Sequence, residues 1–173
     1  IKSISGIRGT IGGKPGENLT PLDIVRFAAA YGTWVKEQSG LSKKIIIGRD
    51  GRISGEMVRN LVVSTLTGMG LDVHDLGLST TPTVEIAVLG EKAAGGIIIT
   101  ASHNAKEWNA LKLLNSLGEF ISADEGLRIL EKATKDAFVF ASVDKLGAYT
   151  VDNSYLHKHI QAILDYPLID LPA

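Results

Sequence analysis

The chain has 173 residues, with 18 Lys plus Arg against 19 Asp plus Glu for a formal net charge of −1, and no cysteine. The missing thiols exclude a disulfide framework, thiolate zinc sites, iron–sulfur clusters and a cysteine nucleophile. The near-neutral balance argues against an electrostatic hold on nucleic acid or an anionic membrane. At 45% hydrophobic and 21% charged residues the make-up is that of a globular domain, and a chain this long buries about 70% of its unfolded surface without a covalent or metal staple. No run approaches the ~18 apolar residues of a bilayer span, and no basic, then apolar leader is present; a cytoplasmic setting is expected.

Along the chain, Gly6-Ile-Arg-Gly9 sits in a polar loop running from Ser5 to Thr10. Thr20-Pro21 followed by Asp23 predicts a helix start over 21–38, with cap, proline in the first turn and an acid after it. Lys44-Ile-Ile-Ile-Gly48 reads as a buried strand, residues 54–67 as a helix ending near Gly68 and Gly70, and residues 71–76 as a half-buried strand by their alternation. Thr81-Pro82 opens another helix, Gly96-Ile-Ile-Ile-Thr100 is a second apolar strand, and residues 110–114 form a third. A turn at 115–118 and a short return through Ile121 predict a hairpin at an antiparallel edge. Helices follow over 123–135 and 154–164, joined by a connector with a short strand at 138–141. The β-α-β-α-β order predicts an α/β fold, a layered α/β/α domain with a mixed, mostly parallel sheet.

Ligands of such sheets gather at the carboxyl ends of the strands. Two polar loops follow the apolar strands there: Arg49-Asp-Gly-Arg52 and the run from Ala101 to Asn109, which carries Ser102, His103, Asn104 and Lys106. With Arg8 and Lys112 they collect cations against few carboxylates, which suits a phosphorylated ligand. Arg49-Asp50-Gly51-Arg52 also reads as a turn with a structural ion pair, and Ser-His-Asn as a polar turn or cap. His74 and Asp75 read as exposed alternates of a strand rather than metal ligands, and His157 and His159 point to different helix faces. Neither GxGxxG nor GxxxxGK[ST] occurs, so no nucleotide fingerprint is present. Ser102 has a histidine beside it, but neighbouring side chains diverge and the Gly-x-Ser-x-Gly elbow of serine hydrolases is absent.

Taken together, Gly6-Ile-Arg-Gly9, Gly48-Arg-Asp-Gly-Arg-Ile-Ser-Gly55, Ser79-Thr-Thr-Pro82, Thr100-Ala-Ser-His-Asn104 and Asn109-Ala-Leu-Lys112 resemble the N-terminal domain of the α-D-phosphohexomutases. That family includes phosphoglucomutase, phosphomannomutase and phosphoglucosamine mutase. The resemblance runs from about Ser5 to Leu130. It implies an isomerase-class phosphotransferase in which Ser102 carries the phosphoryl group and a hexose 1,6-bisphosphate forms between hexose 1-phosphate and 6-phosphate. It implies Arg8, His103 and Lys112 near the transferring group, Arg49 and Asn104 as phosphate or substrate contacts, and Mg²⁺ against the phosphate on Ser102. Phosphoryl transfer asks the protein for in-line positioning and positive charge, and a serine at the end of a buried strand is aimed yet accessible.

Two positions depart from the family pattern: Ala105 replaces the usual Pro and Ala110 the usual Gly, which predicts altered loop stiffness with the reacting groups retained. The metal loop D-G-D-x-D-R is absent from the sequence. Residues 1–150 are therefore expected to be the catalytic-serine domain, and 151–173 a linker helix toward further domains that complete the cleft and supply the other metal ligands. The isolated domain is expected to be inactive. The expected partners are a hexose phosphate and the remaining domains, with no nucleic acid and no membrane. The alternative function is a non-catalytic phosphosugar-binding module, expected if the chain is complete as given.

Overall fold

The computed structural model describes residues 2–3, 6–38, 40 and 42–168; Ser5 and the tail 169–173 lie outside the described residues. The two isoleucine triplets, 45–47 and 97–99, form the middle of the sheet, and everything else is arranged around them. In chain order the elements are β1 (Lys2–Ser3), β2 (Gly6–Thr10), α1 (Pro21–Glu37), β3 (Lys44–Arg49), α2 (Gly55–Gly68), β4 (Asp72–Leu78), α3 (Thr81–Gly90), β5 (Gly95–Ile99), β6 (Trp108–Leu114) and α4 (Ala123–Thr134). A 3-10 turn (Val143–Lys145), β7 (Tyr149–Val151) and α5 (Tyr155–Leu164) follow.

The seven strands lie in the order β1-β2-β6-β5-β3-β4-β7. β5, β3, β4 and β7 are parallel neighbours, while β6 runs against both β5 and β2, and β1 against β2. β2 thus points the same way as the parallel strands, and only β1 and β6 are reversed. This is the expected α/β/α domain with a mixed, mostly parallel sheet.

The apolar triplets need no polar alternation because helices cover both faces. Ile45, Ile47, Ile97, Ile99, Leu111 and Leu113 pack with Ile24, Phe27, Val58, Val62, Leu66 and Ile129 of α1, α2 and α4. Ile46, Ile98 and Leu114 pack on the other face with Val84, Ala87 and Val88 of α3 and Tyr155 of α5. Each fully buried Ile or Leu contributes about 1.5–3 kcal/mol. The α1 start is as predicted: Thr20 is the cap, its hydroxyl and the Asp23 carboxylate are hydrogen-bonded, and both halves of a capping box are present with Pro21 at the first position. Ser122 and Glu125 repeat the box on α4.

Four expectations need correction. The polar loop at residues 6–10 is strand β2, because its glycines let it lie against neighbouring backbone. Gly6 has φ +136°, and a Cβ there would sit 1.9 Å from the Leu111 carbonyl oxygen. The strand 108–114 is not at an edge but between β2 and β5, and its return segment makes only an isolated bridge, Leu114 to Phe120. The connector's strand is at Tyr149–Val151 rather than 138–141, since β4 offers its free edge there. Asp75 is buried and His74 half-buried. Asp75 accepts hydrogen bonds from Arg59 (2.9 Å) and Tyr149 (2.8 Å), and His74 Nε2 lies 3.4 Å from Asp152. Both belong to the polar seam that holds the connector. Among the described residues no helix is long and apolar enough to cross a membrane.

Candidate functional site

The loops singled out in the sequence meet at one end of the sheet. β2, β3, β4 and β5 all run toward it, so the segments after Thr10, Arg49, Leu78 and Ile99 emerge together, the placement expected for a ligand site. Backbone bonds stitch them: Asp50 N–H donates to the Ile99 carbonyl (3.1 Å), Ser79 N–H to Arg49 (2.9 Å) and Ile11 N–H to Glu107 (2.8 Å). Gly48 is small because a Cβ would meet Val84 at 2.6 Å and Ser79 at 3.0 Å.

Ser102 is exposed on this end. Its φ is +54°, in the left-handed region, which costs a non-glycine residue about 1–2 kcal/mol and persists only where surroundings enforce it. The enforcement is visible. Ser102 N–H donates to the Thr100 hydroxyl (3.1 Å), which donates to Asp50 Oδ2 (2.6 Å). Asp50 in turn accepts from Arg52, both from its backbone N–H and from its Nε, each at 3.1 Å.

Arg52 carries the arrangement furthest. Its Nη1 donates to the carbonyls of Ala105 and Trp108, both at 2.9 Å, and its Nη2 to those of Ser102 (2.7 Å) and Asn104 (2.8 Å). With Nε on Asp50, all five guanidinium N–H groups are engaged, and the side chain is 11% exposed. The sequence reading that counted Arg52 among cations for a phosphorylated ligand is corrected: its donors hold the loop, and the structural ion-pair reading applies. The 49–52 and 102–104 segments were both legible as polar loops. Nothing local showed that the guanidinium of one gathers the carbonyls of the other.

The remaining candidates divide by face. Arg8 is exposed and lies directly across from Ala110 on β6, while Lys112 is opposite Gly6. Cross-strand partners share a face, so Arg8 and Lys112 are diagonal neighbours on the α3 side of the sheet. The half-buried Lys112 rests its ammonium 5.7 Å from the centre of the Phe120 ring. Arg49 has the parity of Ile45 and Ile47 and lies on the opposite face, against the start of α2. An added Cβ at Gly55 would meet its Cδ at 3.4 Å, and its Nη1 donates to the Asp50 carbonyl (3.2 Å) while Nε is buried without a partner. His103 is exposed and Asn104 half-buried in the loop. Asn109, buried on β6, donates to the Ser54 hydroxyl at the head of α2 (2.9 Å).

No three His, Asp or Glu side chains among the described residues gather as a cation site. Asp50, the carboxylate nearest Ser102 in this network, is already taken by Arg52 and Thr100. The described residues do not make up a Mg²⁺ site by themselves. The concave pockets between α1 and α4, lined by Asp23, Arg26, Phe27 and Thr134 in one case, share no residue with the Ser102 loop.

Comparison with known proteins agrees with this fold. Residues 2–140 match the family model described as phosphoglucomutase/phosphomannomutase, alpha/beta/alpha domain I. A phosphoglucomutase/phosphomannomutase of Thermococcus kodakarensis is 32% identical over 157 residues, covering 90% of this chain and 34% of the relative. A phosphoglucosamine mutase of Helicobacter pylori is 40% identical over 138 residues, covering 80% and 29%. The crystal structure of a phosphoglucomutase/phosphomannomutase family protein from Burkholderia thailandensis superposes with TM-score 0.77 at 23% identity, over 96% of this chain and 36% of that one; that likeness speaks for the fold. The chain spans about a third of the length of the curated relatives it matches, 34% in the first case.

Proposed function

Because the chain belongs to the phosphoglucomutase/phosphomannomutase family and forms its α/β/α domain I, we propose that Ser102 carries the phosphoryl group in a protein that interconverts hexose 1-phosphate and hexose 6-phosphate. The observation that carries this reading is Ser102 itself, exposed at the end of a fully buried strand and held at positive φ by the Asp50–Thr100 chain. A nucleophile fixed in this way loses little entropy when its partner arrives, and that is the larger part of what phosphoryl transfer needs.

In the forward half-reaction the phosphorus–oxygen bond to Ser102 breaks as a new one forms to the free hydroxyl of a hexose monophosphate. The sugar hydroxyl gives up its proton and the seryl oxygen regains one. Reorientation of the bisphosphate and the reverse transfer return the phosphoryl group to Ser102. His103, adjacent and exposed, is the proposed proton carrier. Arg8 and Lys112 supply charge from the shared face. Lys112 is held over Phe120 by a contact of about 0.5–1 kcal/mol, so turning it toward a phosphoryl oxygen is inexpensive. Asn104 and Arg49 border the loop as phosphate or sugar contacts. Mg²⁺, when bound, neutralises charge on the phosphoryl oxygens; this chain offers it one oxygen, on phosphorylated Ser102, and the other ligands belong to the further domains proposed to follow residues 151–173. A cytoplasmic setting belongs to the same reading.

The test is intact mass of the complete protein, with a peptide map across residues 95–115 and Ser102→Ala as control. One phosphoryl group on Ser102, discharged by excess hexose monophosphate, is expected, and turnover in Ser102→Ala should fall to background. No phosphorylation after exposure to a hexose 1,6-bisphosphate with Mg²⁺ would turn the reading toward a phosphosugar-binding module without transfer chemistry.

A further inference from the structure

The geometry points to Arg52 as a positioning residue that sets the conformation of the Ser102 loop and thereby the rate of the transfer step. This inference rests on the reading of Ser102 as the phosphoryl carrier. Four carbonyls, of Ser102, Asn104, Ala105 and Trp108, converge on one guanidinium at 2.7–2.9 Å. Carbonyl oxygens brought this close repel one another unless a cation with several donors in one plane lies between them. An arginine fork meets that need, and a lysine, with its charge at a point and fewer donors, does not.

The clamp has a directional consequence. No peptide bond in the described chain is cis, and in a trans peptide the N–H points opposite to the C=O. Carbonyls of Ser102, Asn104 and Ala105 turned in toward Arg52 therefore turn the N–H groups of His103, Ala105 and Lys106 away from it, in a loop whose residues 102, 103 and 105–107 are exposed. The neighbouring amides of Ala105 and Lys106, with that of His103, can attract an anion, while Asn104 N–H is spent on the Ala101 carbonyl (3.1 Å). Ala105 adds a donor at this place because it is not proline. Arg52 thus acts through the backbone it holds, and its partner Asp50 extends the hold to the amide of Ser102 through Thr100.

The experiment uses the complete protein with three variants: Arg52→Lys, Arg52→Gln and Thr100→Val. Thr100→Val keeps the shape of the side chain and removes the hydroxyl that joins Asp50 to Ser102. All three should lower kcat, the arginine variants by roughly 100-fold, the scale of an ångström-sized misplacement, with KM for hexose phosphate within about threefold of wild type as expected when only the transition state is affected. Hydrogen exchange should quicken at least tenfold in the amides of residues 101–108 in Arg52→Lys. A kcat restored by Arg52→Lys would show that charge alone suffices and overturn the proposal. A raised KM at unchanged kcat would make Arg52 a substrate contact and overturn it equally. The exchange measurement separates this inference from the reading beneath it. If wild-type Ser102 takes up no phosphoryl group, that reading fails, yet faster loop exchange still supports the clamp, and unchanged exchange removes it.

Discussion

Tyr31 shows how far a single side chain reaches in this fold. Its hydroxyl is buried and donates to the Leu114 carbonyl (2.7 Å), with the Gly96 carbonyl 3.3 Å away, and burial pushes its pKa well above the usual tyrosine value. The ring comes close enough only because residue 95 is glycine: a Cβ there would lie 2.2 Å from the Tyr31 oxygen and 2.7 Å from the Leu114 carbonyl oxygen. Gly95→Ala should therefore lose about 1–3 kcal/mol by overpacking, and Tyr31→Phe about 1 kcal/mol from the lost hydrogen bond. Removing the hydroxyl clears part of the space a methyl needs, so the double variant should lose less than the sum. Urea midpoints of the four proteins check this, and additive losses would refute the contact. In the sequence Gly95 stands directly before the apolar strand read at 96–100. Its reason for being glycine lies on α1, more than 60 positions away, the Tyr31–Gly96 separation being 65.

Among the elements, α5 is attached by polar links more than by apolar contact. Leu156, Ile160 and Ile163 are exposed, while Tyr155 is buried and donates to Glu91 Oε1 (2.6 Å), whose other oxygen accepts from Lys44 (2.6 Å). Asp152 accepts from Ser154 N–H (2.8 Å) just before the helix. Hydrogen bonds from Lys44 and Tyr155 hold the Glu91 carboxyl below its ordinary 4.5, and those from Ser154, followed by Lys158 and His74, hold Asp152 below 3.8. Both groups are depressed in the folded state, so their stabilisation is complete above the unfolded values, begins to fall below about pH 4 and is lost only as pH drops through the lower folded values. Hydrogen-exchange protection of residues 155–164, corrected for intrinsic rates, should decline progressively below about pH 4, ahead of that of residues 45–47. Glu91→Gln should flatten the acid dependence. Uniform loss across both segments would mean that α5 is not separately held. The helix itself was readable from its period, but its attachment was not, because Glu91 and Lys44 lie on other elements.

At the scale of the molecule the two apolar clusters share the same strands, with Ile46 facing one and Ile45 and Ile47 the other. Stripping the helices from either face uncovers strands on which the other face also packs, so the sheet with α1–α4 should unfold as one unit, with α5 released separately only in acid. Trp34 is buried in α1 with its ring nitrogen unpartnered, and Trp108 is half-buried beside the Ser102 loop. They supply two probes. Fluorescence of Trp34→Phe and Trp108→Phe should each report one cooperative transition, and each should coincide with the loss of circular dichroism measured in the same variant. A fluorescence change that precedes the dichroism when only Trp108 remains would show that the site end opens before the core.

The sequence by itself determined the features written within a few residues of one another. These are the Thr20-Pro21-Asp23 helix start, the two isoleucine strands that need cover on both faces, the helices read at 54–67 and 123–135, and the grouping of polar loops that carries the family resemblance. Periodicity, capping and turn chemistry act over one or two turns of chain, so they can be read from the chain alone. Only the tertiary structure decided that residues 6–10 form a strand, that 108–114 lies inside the sheet, that Asp75 is buried under Arg59 and Tyr149, and that Arg52 holds a loop 50 residues away. Those outcomes depend on which edges and carbonyls remain unsatisfied once the core has formed, and such partners are chosen by packing rather than by proximity in sequence.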